Sequence, residues 1–298
     1  MTHKPLPDDA SRTGGSILIF LLVLALAGVM GWAGSQRGTT VQGLPVFAVA
    51  VGWIFLVQLI AFLPAWTNRT EKFFDLTGSL TYITTMIAGL FLSGNFDGTA
   101  VLITAAVVVW AGRLGSFLFA RVRRAGSDGR FDDIKTNFLR FFNVWMIQGL
   151  WITMTLSAAL AAVTAGDRPV FGGITTVGFV IWAAGFACEI IADTQKSRFR
   201  ADPANKNQFI HTGLWAWSRH PNYFGEITLW LGVAVMAFPA LHGWQYAALI
   251  SPVFVTILLT KVSGIPILER KADSRWGGRN DYRQYKAKTS VLVPRLPK

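Results

Sequence analysis

The sequence predicts an all-α fold, a polytopic helical bundle integral to a membrane. Hydrophobic residues make up 52% of the chain, and its mean hydropathy is +0.42. Apolar runs long enough to cross a bilayer recur along the chain, and most of the charge falls in the connectors between them. A length of 298 residues would suggest two soluble domains, but this composition overrides that expectation.

Residues 1–15 are polar and read as a disordered N-terminus. The run from about Ser16 to Ala33 lacks a clear cleavage signal and is long enough to span, so residues 16–43 supply a retained transmembrane helix. Further runs fall at roughly 44–64, 74–93, 99–120, 140–165, 171–192, 222–240 and 243–263, which makes eight. Loop charge supports that number. Of Lys and Arg, the connectors near 34–43, 93–98, 165–170 and 240–242 carry only Arg37 and Arg168. The alternate connectors and the tail after Ser263 are rich in Lys and Arg. Eight spans with both termini in the cytoplasm place every basic segment on one side, as the positive-inside bias requires. The cytoplasmic face is then made of loop 121–139, connector 193–221 and tail 263–298. Short hairpins at Pro64–Phe73 and Ser93–Gly98 make consecutive helices antiparallel neighbours. No heptad seam, internal repeat or low-complexity tract stands out.

The net charge of +12 would point a soluble protein toward nucleic acid. In a membrane protein, basic cytoplasmic loops, anionic lipid and nucleotide phosphate explain it first, so membrane lipids are expected partners and nucleic acid is not. The single cysteine, Cys188, allows no intramolecular disulfide. No pair among His3, His211, His220 and His242 has metal-ligand spacing, so no metal site is expected.

Five constellations could carry chemistry. Trp110, Arg113, Phe117, Arg121 and Arg124 recur at three and four, forming one increasingly cationic helix face. The outer arginines can simply snorkel, whereas Arg113 lies about two turns inside the boundary and needs a buried partner. Asp193, Lys196 and Arg200 repeat the spacing, with Glu189 one turn earlier; alone they read as a surface ion-pair ladder of little energetic weight. Ser218-Arg219-His220-Pro221-Asn222-Tyr223 sets Pro221 in the first turn of a helix that continues to Glu226. That helix start is either an ordinary cap or an anion seat. In the tail, Tyr282, Tyr285 and Lys286 share a face of an amphipathic segment, read equally as a surface helix or as a lid over a ligand. Asp75 and Tyr82, seven apart, lie near one face of the third helix, with Gly78 and Ser79 permitting close packing between them. Their bland readings are a helix cap and an interfacial aromatic. The sequence holds no dinucleotide fingerprint, P-loop, nucleophile elbow or zincin helix, so any nucleotide must be held by the bundle itself.

Several long motifs in order, TEKFFDLTGSLTYI, GRLGSFLFARVRRAGSDGRFDD, EIIADTQKSRFR, GLWAWSRHPNYFGE, KVSGIPILE and YRQYKAKTSVLVP, resemble the steroid 5α-reductase-like family, in particular its bacterial DUF1295 branch. The likeness runs from about Thr70 to Pro294. It implies a seven-helix reductase core within residues 44–298, with the Ser16–Ala33 helix added in front. It also implies an NADPH-dependent membrane reductase of the carbon–carbon double bond of an α,β-unsaturated ketone, such as a 3-oxo-4-ene steroid. A bacterial inner-membrane location, a cytoplasmic cofactor site and a monomer follow as expectations. By motif, NADPH falls against Arg113, Arg121, Arg124, Asp193, Arg200, Asn222 and Glu226. The anion seat and the tail add Arg219, His220, Tyr223, Tyr282 and Tyr285. The family's catalytic tyrosine position looks like Trp110 here, and its Gln-Glu pair falls near Asp75-Leu76. Either Asp75 and Tyr82 act as the catalytic pair in another way, or the substrate is a different lipid-like enone. The pattern R-H-P-x-Y-x-G, here Arg219 to Gly225, also looks like isoprenylcysteine carboxyl methyltransferases, which bind S-adenosylmethionine. A methyl donor carries no phosphate to occupy so many arginines. A transporter would show discontinuous helices or repeated halves, and neither is visible.

Overall fold

A computed structural model describes residues 9–125, 131–167 and 171–296, with only the backbone course given for 9–12 and 121–125. Eight helical stretches among the described residues are long and apolar enough to cross a membrane, as the sequence predicts. The chain divides into two compact units, Met1–Phe171 with Ala240–Leu249, and Gly172–Pro239 with Ile250–Lys298.

The first unit contains α1 (Asp9–Ser35), α2 (Val46–Thr67), α3 (Phe74–Ser93), α4 (Gly98–Ala125) and α5 (Phe138–Val163). Exposed Leu18, Leu22 and Val29 on α1 suit a lipid-facing surface, while Val23, Ala27 and Met30 are buried. Val23 joins Phe62, Phe141 and Trp145 in one aromatic-rich core cluster. Strands β1 (Thr40–Val41) and β2 (Leu44–Pro45) pair antiparallel through Gln42 and Gly43, whose φ values of 50° and 80° suit a tight hairpin turn. Gly94 ends α3 in the left-handed conformation, and Asn95 Nδ2 then donates to the carbonyls of Val163 and Ala165 at 2.9 and 2.7 Å. That side chain ties the α3–α4 turn to the end of α5.

The second unit contains α6 (Gly173–Ala201), α7 (Pro221–Ala237), α8 (Ile250–Ile257), α9 (Ile265–Trp276) and α10 (Asn280–Lys288). Its frame is the α6–α7 pair. Gly178 and Gly185 on one helix, Gly225 and Gly232 on the other, let the two backbones touch. A Cβ at Gly225 would lie 2.6 Å from the Glu189 nitrogen and 2.7 Å from the Gly185 carbonyl, and one at Gly232 would lie 2.4 Å from the Trp182 nitrogen. A seven-residue seam does exist, contrary to the sequence reading. Glycines carry it, and a search for apolar heptads passes over glycine although small residues drive close helix packing in membranes.

Several boundaries differ from expectation. α1 already runs over residues 9–15, assigned above to a disordered N-terminus; that stretch contains no proline to stop a helix, and residues 1–8 lie outside the described residues. α4 continues to Ala125 and α6 to Ala201, so the connectors begin later than residues 121 and 193. Charged residues at helical spacing extend both helices past their apolar runs. The eighth run is irregular: a 3-10 segment over Gly243–Leu249, α8, then a π-turn over Leu258–Val262. Ser263 N donates to the Leu258 carbonyl five residues back.

Candidate functional site

In the second unit, the connector between α6 and α7 folds back onto the end of α6. The indole N–H of Trp215 donates to the Ala192 carbonyl at 3.0 Å, and Leu214 N donates to Gln195 Oε1 at 3.0 Å. Gly213, at φ 61°, lies on that Gln195 amide, where a Cβ would come within 2.5 Å of Nε2. The tail clasps the connector from its other side. Arg275 Nη2 donates to Asn207 Oδ1 at 2.7 Å, and the Trp276 indole and Arg279 donate to the Asn207 carbonyl at 3.0 and 3.2 Å. Buried Phe209 packs edge-on or tilted among Tyr282, Tyr285 and Trp276, with centroids 5.1, 5.3 and 5.9 Å away. Past α10 the chain straps Trp217–Arg219: Ser218 Oγ donates to Leu292 O at 2.7 Å, Arg219 N to Ser290 O at 2.8 Å, and Arg295 N to Trp217 O at 3.0 Å.

These elements enclose a cleft of about 290 Å³. Its cations are Lys196, Arg200, Arg219, Lys271 and Arg275, against the single carboxylate of Glu269. Its aromatic wall includes Phe199, Phe209, Trp215, Trp276, Tyr282 and Tyr285. Lys196 Nζ sits 4.4 Å over the Trp215 ring, a cation–π geometry.

Glu269 organises this wall. Its carboxylate accepts from Arg219 Nη1 at 2.6 Å, from His220 Nε2 at 2.9 Å and from Lys286 Nζ at 3.2 Å; Lys286 also reaches Asp273 at 2.6 Å. Burial lowers the His220 pKa below its ordinary value, outweighing Glu269, which raises it; the positive charges of Lys196 and Arg219 lower it further. The neutral ring therefore carries its proton on Nε2, facing the carboxylate, and leaves Nδ1 as a bare acceptor. His220 Nδ1, Arg219 Nε and Asn222 Oδ1 are buried and make no hydrogen bond among the described residues. Three buried polar atoms on four successive residues are thus without a hydrogen bond among the described residues at the start of α7. Burial also raises the pKa of Tyr282 and Tyr285, keeping both hydroxyls protonated. Tyr285 donates to the Trp215 carbonyl at 2.7 Å.

The first unit holds a different kind of cavity, about 400 Å³, lined by Asp75, Ser79, Tyr82 and Gln148 among mostly apolar side chains. The Tyr82 ring meets Trp110 edge-on, with centroids 5.2 Å apart and planes at 89°. Gly115 lets α4 close on Ser79, whose Oγ would lie 2.6 Å from a Cβ there. Larger recesses of about 840 and 670 Å³ lie beside Arg140 and beside the Lys135–Glu71 ion pair, and neither contains a residue of the predicted set.

The predicted residues thus separate by unit. Arg200, Arg219, His220, Tyr282 and Tyr285 line the cationic cleft. Asp193 is buried on α6, while Asn222, Tyr223 and Glu226 occupy the first turns of α7, where Gly225 touches the backbone of Glu189. The His220 and Tyr223 rings are stacked with planes 9° apart. Asp75 and Tyr82 line the apolar cavity. Arg113 belongs to the first unit, its guanidinium 5.8 Å from the Phe117 ring centre. The side chains of Arg121 and Arg124 lie outside the described residues. Sequence reasoning missed Glu269, although it closes the motif KVSGIPILE, and it missed Phe209, Lys271, Arg275 and Trp276. It also missed Gln148. Nothing in the spacing of Phe209, Glu269, Lys271, Arg275 and Trp276 links them to the Arg-His pair; only the folding back of connector and tail does.

The fold and this cleft define a multi-pass helical membrane protein with a cationic, aromatic-walled recess. The chain belongs to DUF1295, a family described as proteins of unknown function, whose pattern matches residues 61–289. It is 25% identical over 177 residues to an uncharacterised protein of Schizosaccharomyces pombe (strain 972 / ATCC 24843), covering 52% of this chain and 49% of that one. It is 30% identical over 95 residues to a protein of Ustilaginoidea virens named a probable O-methyltransferase, covering 31% of this chain and 33% of that one. The chain thus spans half or less of the length of these relatives. No solved structure gives a significant match.

Proposed function

We propose that this chain is an integral-membrane reductase that uses NADPH to reduce the carbon–carbon double bond of an α,β-unsaturated ketone, in the manner of steroid 5α-reductases. The observation carrying this reading is the cleft's balance of five cations to one carboxylate beside an aromatic wall. Phosphates need several fixed cations, and ring faces suit an adenine. The orphaned His220 Nδ1 and Asn222 Oδ1 accept from N–H or O–H groups, and Arg219 Nε donates. NADPH, when bound, supplies the hydride. The polarising work falls to Tyr82, whose hydroxyl donates to the ketone oxygen as negative charge develops there. Such a donor typically contributes a few kcal/mol to the transition state, about 2.7–4 in the best-measured case. Asp75, which lines the same cavity, shares the role. The apolar lining of their cavity suits a flat lipid, a steroid or another enone.

A second reading has a specific observation behind it, the likeness to the probable O-methyltransferase together with R-H-P-x-Y-x-G. An S-adenosylmethionine-dependent methyltransferase would leave the cations without a phosphate. The test is oxidation of NADPH by detergent-purified protein against a panel of enones including 3-oxo-4-ene steroids. Wild type should reduce at least one enone. Tyr82→Phe should lower its rate by about tenfold or more, and Asp75→Asn should also slow it. Wild-type rates in both variants would remove Asp75 and Tyr82 from the chemistry.

A further inference from the structure

We propose that Gln148 selects the ligand of the first-unit cavity by accepting a hydrogen bond from a hydroxyl at the polar end of an otherwise apolar molecule. This rests on the reading of that cavity as the substrate site, and goes beyond it by naming a functional group the substrate must carry. The orientation of the amide is fixed by its neighbour. Gln148 meets the Phe74 carbonyl at 3.1 Å, and since a carbonyl can only accept, the amide nitrogen must face it. Oε1 therefore points elsewhere. It is buried and makes no hydrogen bond among the described residues.

The fold makes room for this side chain. Gly78 lies beside it on α3, where a Cβ would come within 2.8 Å of Nε2. Gln148 is among the residues lining a cavity with Phe131, Ile134 and Ile147, and leaving its buried oxygen without a donor is costly. A ketone cannot serve, because its oxygen is also an acceptor. The complementary ligand carries an O–H group within reach of Gln148, in addition to any carbonyl presented to Tyr82. Its class is a hydroxylated lipid, and an analogue with the hydroxyl capped leaves Oε1 without a partner. Sites built around a buried hydrogen bond discriminate strongly against such analogues.

Farnesol and its methyl ether form a matched pair of apolar probes differing in that donor. Equal concentrations of both would compete for detergent-purified protein, with the adduct ratio read by native mass spectrometry. No cofactor is present, so the outcome is independent of whether NADPH is the cofactor. Wild type should favour the alcohol by about tenfold or more, and Gln148→Met, similar in size but without the acceptor, should bind the two alike. Gly78→Ala leaves the amide in the chain but displaces it, and should reduce the preference; it decides the matter where Gln148→Met shows no cooperative unfolding. Equal binding of the pair by wild type, binding of neither, or a preference undiminished in the folded variants would overturn the proposal.

Discussion

Glu269 accepts from Arg219, His220 and Lys286, three donors contributed by connector and tail, and it thereby fixes which nitrogen of His220 is bare. The pH dependence of stability follows from that arrangement. Burial lowers the folded-state pKa of His220 below 6.5, so between that lowered value and 6.5 the unfolded chain binds more protons than the folded one. The stabilisation is fully present above pH 6.5 and is lost as pH falls through the folded-state pKa. Thermal melts on a descending pH series should show this slope, and His220→Asn should flatten it while lowering stability by about 1–3 kcal/mol. An unchanged slope would mean that another group titrates there. The Arg-His pair was legible in the sequence because six polar and helix-starting residues stand together from Ser218 to Tyr223. Glu269 was not, because a lone acid among basic residues looks like a surface charge until its partners are brought to it. Gln148 escaped for a similar reason: an amide within an apolar run shows nothing of which neighbour it meets.

At the scale of elements, the helices follow from apolar runs and charge-marked connectors, and the eight spans fell where those runs lie. What the runs could not show is how the helices pair. The α6–α7 contact rests on glycines that leave backbone against backbone, and it brings the start of α7 beside Glu189. Gly225→Ala places a methyl group 2.6 Å from the Glu189 nitrogen, which cannot move aside as a flexible side chain could. The helices must separate, at a cost of about 1–3 kcal/mol. The same change at Gly31, where a Cβ meets nothing within 4 Å, should leave thermal stability near that of wild type. Equal melting of the two variants would show that the glycine seam is not what joins the pair. The amphipathic tail was readable as a helix from Tyr282, Tyr285 and Lys286, but that both tyrosines line the cleft was not legible. Its clasp on Asn207 depends on a left-handed residue at φ 66°, which no periodicity reveals.

For the whole molecule, an excess of cations is the feature that joins composition to proposed function. The net charge of +12 is carried by the segments between spans and by the tail. In the second unit five of its cations line a cleft together with six aromatic side chains and a single acid. On the proposed reading, part of this charge meets the phosphates of a nucleotide, for which the cleft's aromatic lining is suited. The central claim is therefore tested most directly by ligand-dependent thermal unfolding of the purified, full-length protein. NADPH, NADH and S-adenosylmethionine would each be titrated against wild type, Arg200→Ala and Lys271→Ala. The account predicts that NADPH raises the melting temperature of wild type more than NADH does and that S-adenosylmethionine leaves it unchanged. Each variant should require about ten- to hundredfold more NADPH for the same shift, the loss of one charge-assisted contact. Stabilisation by S-adenosylmethionine alone, or NADPH shifts identical in all three proteins, would contradict it.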